Sequence, residues 1–229
     1  MKVIDLSHVI DDQTITYKGL PAPIICDYLS RKASEEYYQE GTSFQIGKIE
    51  MVSNTGTYID VPFHRYAEGD DLAHVSIDRL ANLKAVCINA SGCNQQAIGL
   101  EVFENIDVKD KAVLVYTNWS RFWGSEEYFE AHPYLTAEAA EYLSKKSVKM
   151  VGIDSHNIDD TSGNGRPVHT ILLKNGIPIL EHLTNLSELI NFQQFILHAA
   201  PPKIVGMGTF PVRAFAVINE NDIKESEKT

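Results

Sequence analysis

Short apolar runs separated by glycine, proline and polar residues punctuate the whole chain, and side chains arranged this way are buried by building a sheet. Val3–Leu6 is the first. Phe44–Val52 alternates, with Phe44, Ile46, Lys48, Glu50 and Val52 on one face. Ala85–Ala90, Ala112–Thr117, Val148–Ile153, Ile177–Leu180, Phe195–His198 and Val212–Ile218 continue the series. Helical patterns fall between them. Thr136 is a good N-cap for Ala137–Lys146, with Glu138 in the first turn, Lys145 and Lys146 in the last, and Ala139 and Leu143 on one face. Val168–Asn175 reads as a short helix closed by Gly176. Strands alternating with helices in the second half, after a strand-richer first half, predict an α/β or mixed fold centred on a sheet.

The 229 residues suffice for one sizeable core. No internal repeat or low-complexity linker divides them, so residues 1–218 are expected to form one domain and the polar stretch 219–229 a tail. The net charge of −11 argues against a general nucleic-acid or anionic-membrane binder, because attraction to phosphate needs a basic face. No apolar run approaches the roughly 18–20 residues that span a bilayer, and the first residues are too brief for the apolar core of a secretion signal. Cys26, Cys87 and Cys93 lack CxxC or zinc-finger spacing and read as reduced thiols of a cytoplasmic protein. The Asn-x-Ser sequons at Asn89, Asn118 and Asn185 carry no weight without a secretion signal.

Two segments concentrate chemistry. Ser53–His74 packs Asn54, Tyr58, Asp60, His64 and Arg65 around Gly56 and Pro62. Its even-numbered polar residues would share one face of an extended chain, but such a mixture is rare inside a strand, so a site-lining loop or irregular edge is expected. Gly152–Glu181 runs from an apolar strand ending in Asp154, through a polar, Gly-rich loop from Ser155 to Arg166, to His169 and then Glu181. Functional side chains favour strand ends and long loops, and His and Glu are ordinary metal ligands. Each segment taken alone also fits solvated turns and caps.

Read together, these stretches resemble the cyclase family of metal-dependent hydrolases, which includes bacterial kynurenine formamidases and isatin hydrolases. Asn54-Thr55-Gly56-Thr57-Tyr58-Ile59-Asp60-Val61-Pro62-Phe63-His64 resembles the family's HxGTHxDxPxH signature. Gly152-Ile153-Asp154, followed by Pro167-Val168-His169 and Glu181, resembles a second family stretch. Val3–His8, Thr117–Gly124 and Pro211–Val217 add to the likeness, which covers nearly the whole chain in order. It implies a swivelling β/β/α domain with a mixed, barrel-like sheet flanked by helices, and a cytoplasmic homo-oligomer acting on a small molecule. Arylformamidase activity of this kind implies a place in tryptophan catabolism.

Two signature histidines are replaced, by Asn54 and Tyr58. The resemblance then leaves Asp60, His169 and Glu181 as metal ligands and His64 as general acid/base. It implies one divalent ion per chain, Zn or Mn, rather than two. The reaction expected is hydrolysis of a small cyclic or aryl amide or ester. Asn54 and Tyr58 are candidate oxyanion donors, although a packed Tyr at the pocket wall and an Asn bonding its own turn are the commoner fates. Trp119, with Phe122 and Trp123, is a candidate aromatic wall, or else core or interface packing. Arg65 and Arg213 are candidate carboxylate binders, and His156 a candidate substitute ligand. Two rival expectations stay open: a catalytically silent relative that binds a small molecule or acts as a scaffold, and a metal-free enzyme in which Asp60 orients His64.

Overall fold

The computed structural model describes residues 1–93 and 95–219. The strands are β1 (Lys2–Asp5), β2 (Ile24–Leu29), β3 (Ile46–Glu50), β4 (Tyr58–Asp60), β5 (Leu83–Asn89), β6 (Ala97–Ile98), β7 (Ala112–Tyr116), β8 (Tyr134–Leu135), β9 (Met150–Ile153), β10 (Ile179–Glu181), β11 (Phe195–His198), β12 (Thr209–Pro211) and β13 (Phe215–Ile218). Among the described residues three α-helices accompany them, α1 (Arg31–Ser34), α2 (Ala137–Lys145) and α3 (Pro167–Lys174). Nine strands form one mixed sheet in the order β1-β13-β11-β5-β7-β9-β10-β4-β12, curved as a half barrel. The neighbours β5, β7, β9 and β10 run parallel, and the remaining pairs are antiparallel.

The expected barrel-like α/β architecture is thus present, with a physical reason in β7. Its run Ala112-Val113-Leu114-Val115 is buried on both faces, as a central parallel strand requires. Ala112 and Leu114 join one apolar cluster with Ile4, Ile59 and Leu180. Val113 and Val115 join the other, where α2 and α3 supply Ala139, Leu143, Val168 and Leu172. Thr136 caps α2 as expected, its hydroxyl accepting from Ala139 N at 3.2 Å.

Two expectations are corrected. The alternation over Phe44–Val52 does form a strand, but Ile46–Glu50 pairs only with β2 and is exposed on both faces. Alternation reports the pleat, and burial of one face needs a layer that this hairpin lacks. The segment expected as a loop contains β4, three fully buried residues between β10 and β12. A strand this short tolerates Tyr58 and Asp60 because both side chains find polar partners. The residues beyond 219 of the expected tail lie outside the described part. Among the described residues no helix is long and apolar enough to cross a membrane, and the cysteines form no disulfide.

Gly152 on β9 permits the tight packing at the sheet centre. A Cβ there would lie 2.7 Å from Leu114 Cδ2, 2.8 Å from Leu183 Cδ1 and 3.2 Å from Leu180 Cβ. All three leucines are fully buried. Gly152→Ala should therefore destabilise the fold by about 1–3 kcal/mol through overpacking. Urea denaturation should show a lowered midpoint at unchanged slope.

Candidate active site

The site is built where β4 meets its two neighbours. In register, Asp60 faces Ile179 and Thr209, and Tyr58 faces Glu181 and Pro211. Beyond Asp60, Pro62 starts a 3₁₀ turn, Pro62–His64, which returns His64 towards the strand. His64 Nδ1 lies 3.6 Å from Asp60 Oδ1. The next strand over holds the turn in place. A Cβ on Gly208 would overlap the backbone of His64 and Phe63, so only glycine allows this approach. Pro167 opens α3 and places His169 in its first turn, facing the same point.

Hydrogen bonds assign the protons of both imidazoles. The Thr209 hydroxyl donates to Asp60 Oδ1 at 2.6 Å, which uses its only proton. At its 2.7 Å contact with His64 Nδ1 the hydroxyl oxygen must therefore accept. That makes His64 an Nδ1–H tautomer with its Nε2 lone pair free. His169 is held the same way: Nδ1 donates to Asp159 Oδ2 at 2.6 Å. Asp159 also accepts from the amides of Val168 and His169, at 2.7 and 3.0 Å, so it doubles as the anchor of the helix start. A carboxylate behind an imidazole is the usual support of a metal-ligating histidine.

His169 Nε2 lies 3.4 Å from Asp60 Oδ2 and 3.7 Å from Glu181 Oε1. These gaps are long for hydrogen bonds but suit two atoms sharing an ion with bonds of about 2.0–2.2 Å. Asp60 Oδ2 is buried without a hydrogen-bond partner. Burial opposes charge on His169, yet Glu181, Asp159 and Asp60 outweigh it and raise its pKa to about 10. The carboxylates therefore favour positive charge at this point, which the imidazolium itself carries unless a metal displaces its Nε2 proton. The donor set of carboxylate oxygens and an imidazole fits a divalent metal. Ligand atoms of Asp60, His64 and His169 lie within 4.8 Å of one another. Glu181 stands outside that trio.

Glu181 is engaged elsewhere. Its Oε1 accepts from Ile158 N at 2.7 Å, and its Oε2 accepts from the hydroxyls of Tyr58 and, at 3.0 Å, Tyr17. Burial raises its pKa. Behind these tyrosines the Tyr128 hydroxyl lies 2.8 Å from His182 Nδ1, and His182 Nε2 lies 3.3 Å from the Tyr17 hydroxyl, so buried groups extend the network. Tyr58 is 1% exposed and its one proton is committed to Glu181, which corrects its expected role as an oxyanion donor. A tyrosine here meets Glu181 with a hydroxyl where the family signature has an imidazole.

A cavity of about 290 Å³ joins Tyr17, Leu20, Asn54, Tyr58, His64, Arg65, Asn157, Arg166, His169 and Glu181. Asn54 and Arg65 are therefore brought to the site. Trp119 is not among the lining residues: its indole NH donates to the Tyr128 carbonyl at 3.1 Å and its ring packs on Phe122. Trp123 stacks flat on His8. Arg213 is bound by Asp5 through two nitrogens, at 2.9 and 2.6 Å. His156 is not in the cavity wall. It packs among Tyr17, Phe129 and His132, with Nδ1 unpartnered, so it does not replace a missing ligand. Asp154 holds Thr117 and Asn118 after β7. Sequence reasoning missed Tyr17, Asn157, Asp159, Arg166 and Thr209. Asp159 and Arg166 lay inside the second resembling stretch, and Thr209 lies just ahead of Pro211–Val217.

Comparison with known proteins identifies the family. Residues 4–160 match the Cyclase family model, described as "Putative cyclase". A kynurenine formamidase of Geobacillus thermodenitrificans is 32% identical over 177 residues, covering 76% of this chain and 81% of that protein. One from Bacillus cereus is 28% identical over 211 residues, covering 92% and 95%. An isatin hydrolase bound to the product analogue thioisatinate superposes with a TM-score of 0.78 at 22% identity, covering 96% and 93%, which shows the shared fold. The chain belongs to the cyclase family.

His8 and His156, outside the cavity wall, are kept neutral by burial. Burial lowers His8 to about 4 and His156 to about 3, the latter with help from His132, Arg166 and Lys18. Their folded pKa values lie below the unfolded value near 6.5, so the unfolded chain takes up protons first as pH falls. Stability should drop from about pH 6.5 down to pH 4–3, by about 1.4 kcal/mol per pH unit for each such histidine. Urea midpoints at pH 7 and pH 5 should show it, and His156→Phe should flatten the slope.

Proposed function

We propose that this protein is a metal-dependent hydrolase of a small aryl or cyclic amide, breaking a carbon–nitrogen bond outside peptides. One observation carries the reading. Two imidazoles flank a buried carboxylate whose Oδ2 has no partner, and both are held through Nδ1, which leaves a lone pair on Nε2 of His64 and, on Nε2 of His169, a proton that a bound ion would displace. Asp60 and His169 would hold one divalent ion, with Glu181 Oε1 as the third donor, and Zn or Mn suits that set. Bound there, the ion would supply Lewis acidity, polarising the carbonyl and acidifying water. His64 takes the proton of the attacking water at Nε2 and returns it to the departing nitrogen as the C–N bond breaks. Thr209 and Asp60 keep its ring and tautomer in place for both steps. The names of the relatives support an arylformamidase-like reaction, and with it a role in tryptophan breakdown. A second reading, favoured by the grouping of Asp60, His64 and His169, makes His64 the third ligand.

Residues 1–218 are proposed to form one domain, because β1 closes the sheet edge against β13. The β2–β3 hairpin exposes Ile24, Ile25, Tyr28, Ile46 and Ile49, which supports a homo-oligomer. The location is proposed to be cytoplasmic.

Hydrolysis of formanilide, with metal content measured on the same samples, tests the reading. Chelation should abolish turnover, and Zn²⁺ or Mn²⁺ should restore it. His64→Gln should lower kcat by about 10²–10⁴-fold while keeping its metal. Loss of the metal in that variant would instead establish His64 as a ligand. Undiminished turnover in His64→Gln would refute both roles.

A further inference from the structure

Asp60, His169 and Glu181 each have two atoms that could hold an ion, and in each group one of the two is already engaged. Thr209 donates to Asp60 Oδ1 at 2.6 Å. Asp159 Oδ2 holds His169 Nδ1 at 2.6 Å. The Tyr58 hydroxyl donates to Glu181 Oε2, where the Tyr17 hydroxyl lies at 3.0 Å and Asn157 Nδ2 at 3.5 Å. The two hydroxyls lie 2.7 Å apart, and Asn157 Nδ2 donates to that of Tyr17 at 2.9 Å, so three side chains cluster around this one oxygen. What remains is Asp60 Oδ2, His169 Nε2 and Glu181 Oε1, one atom from each group.

Thr209 and Tyr58 are 2% and 1% exposed, so water does not stand in for their bonds. A carboxylate that turned both oxygens to an ion would strip a buried hydroxyl of its acceptor, which is unfavourable. Both carboxylates are therefore confined to end-on ligation. The spacing agrees. With bonds of about 2.0–2.2 Å, donors stand about 3.3–3.6 Å apart around a tetrahedral ion and about 2.8–3.1 Å apart at adjacent corners of an octahedral one. His169 Nε2 lies 3.4 Å from Asp60 Oδ2 and 3.7 Å from Glu181 Oε1, nearer the tetrahedral spacing.

Building on the metal-dependent reading above, we propose that Thr209, Tyr58 and Tyr17 set the coordination number. By holding the far oxygens of Asp60 and Glu181 they leave three single donors and one open position, a four-coordinate site that suits Zn²⁺ over six-coordinate Mn²⁺. The three hydroxyls are positioning groups and do not themselves touch the ion.

Zn²⁺ outranks Mn²⁺ at most sites of this kind, so the preference alone decides nothing. The test is how geometry and preference change when the hydroxyls are removed. Co²⁺ loaded into the full-length protein reports geometry through its visible absorption, intense in four-coordination and faint in six. The natural sequence should give intense bands. Thr209→Val and the double variant Tyr17→Phe/Tyr58→Phe should weaken them, and should raise affinity for Mn²⁺ relative to Zn²⁺, measured by calorimetry, by about 10-fold or more. Thr209→Ser keeps the hydroxyl and should match the natural protein. Circular dichroism checks folding, and Tyr58→Phe alone serves where the double variant does not fold. Faint bands in the natural protein, or an unchanged Mn²⁺ to Zn²⁺ ratio in the folded variants of either set, would overturn the proposal. A four-coordinate spectrum in a protein that cleaves no formamide would refute the hydrolase reading and leave the coordination proposal standing. Metal-dependent turnover with faint bands would do the reverse.

Discussion

A buried carboxylate with one satisfied and one unsatisfied oxygen sits at the centre of this molecule. Asp60 has no exposed surface. Leaving an ionised group like this unpaired in the interior costs several kcal/mol, so its surroundings must answer for it. Thr209 answers on one side and passes the constraint to His64. His169 answers on the other, itself held by Asp159. The local structure follows from these needs: a three-residue strand with a neighbour on each edge, a proline-started turn that folds His64 back, and a glycine that lets the turn sit against β12.

The sheet explains why the site lies where it does. The parallel strands β9 and β10 send their carboxyl ends to one side, where the chain leaves β9 in a long loop and β10 in a short one. Asp154, Asn157, Asp159 and Glu181 all arise there. Asp154 spends its hydrogen bonds on tying two of these loops together. Glu181 spends most of its own on Tyr17 and Tyr58. The loop from Ser155 to Asp159 is buried, and the polar groups of Ser155, Asn157 and Asp159 have fixed partners.

Much of the fold was legible in the sequence because local rules and burial coincide there. Ala112–Tyr116 and Phe195–His198 are short apolar runs that become strands, and Thr136 caps the helix it announces. The failures came where tertiary partners overrule the local pattern. β4 was hidden because Tyr58 and Asp60 are poor strand formers in isolation, and only their hydrogen bonds explain them. The hairpin β2–β3 kept its alternation without gaining a buried face. At the site, the histidines and carboxylates stood out by type. Thr209 did not, since its role depends on an oxygen lying between two groups distant in sequence. Tyr58 misled in the opposite direction: it reads as a donor towards ligand, but burial and Glu181 claim its proton.

The account depends on Asp60 and His169 binding a cation in the gap between them. Metal stoichiometry should be measured by mass spectrometry on protein prepared without chelator and soaked with Zn²⁺ or Mn²⁺, alongside Asp60→Asn. Circular dichroism would verify that both are folded. The account predicts about one ion per chain in the natural sequence and none in the variant. A folded protein that takes up no metal, or an Asp60→Asn variant that keeps it, would contradict the account.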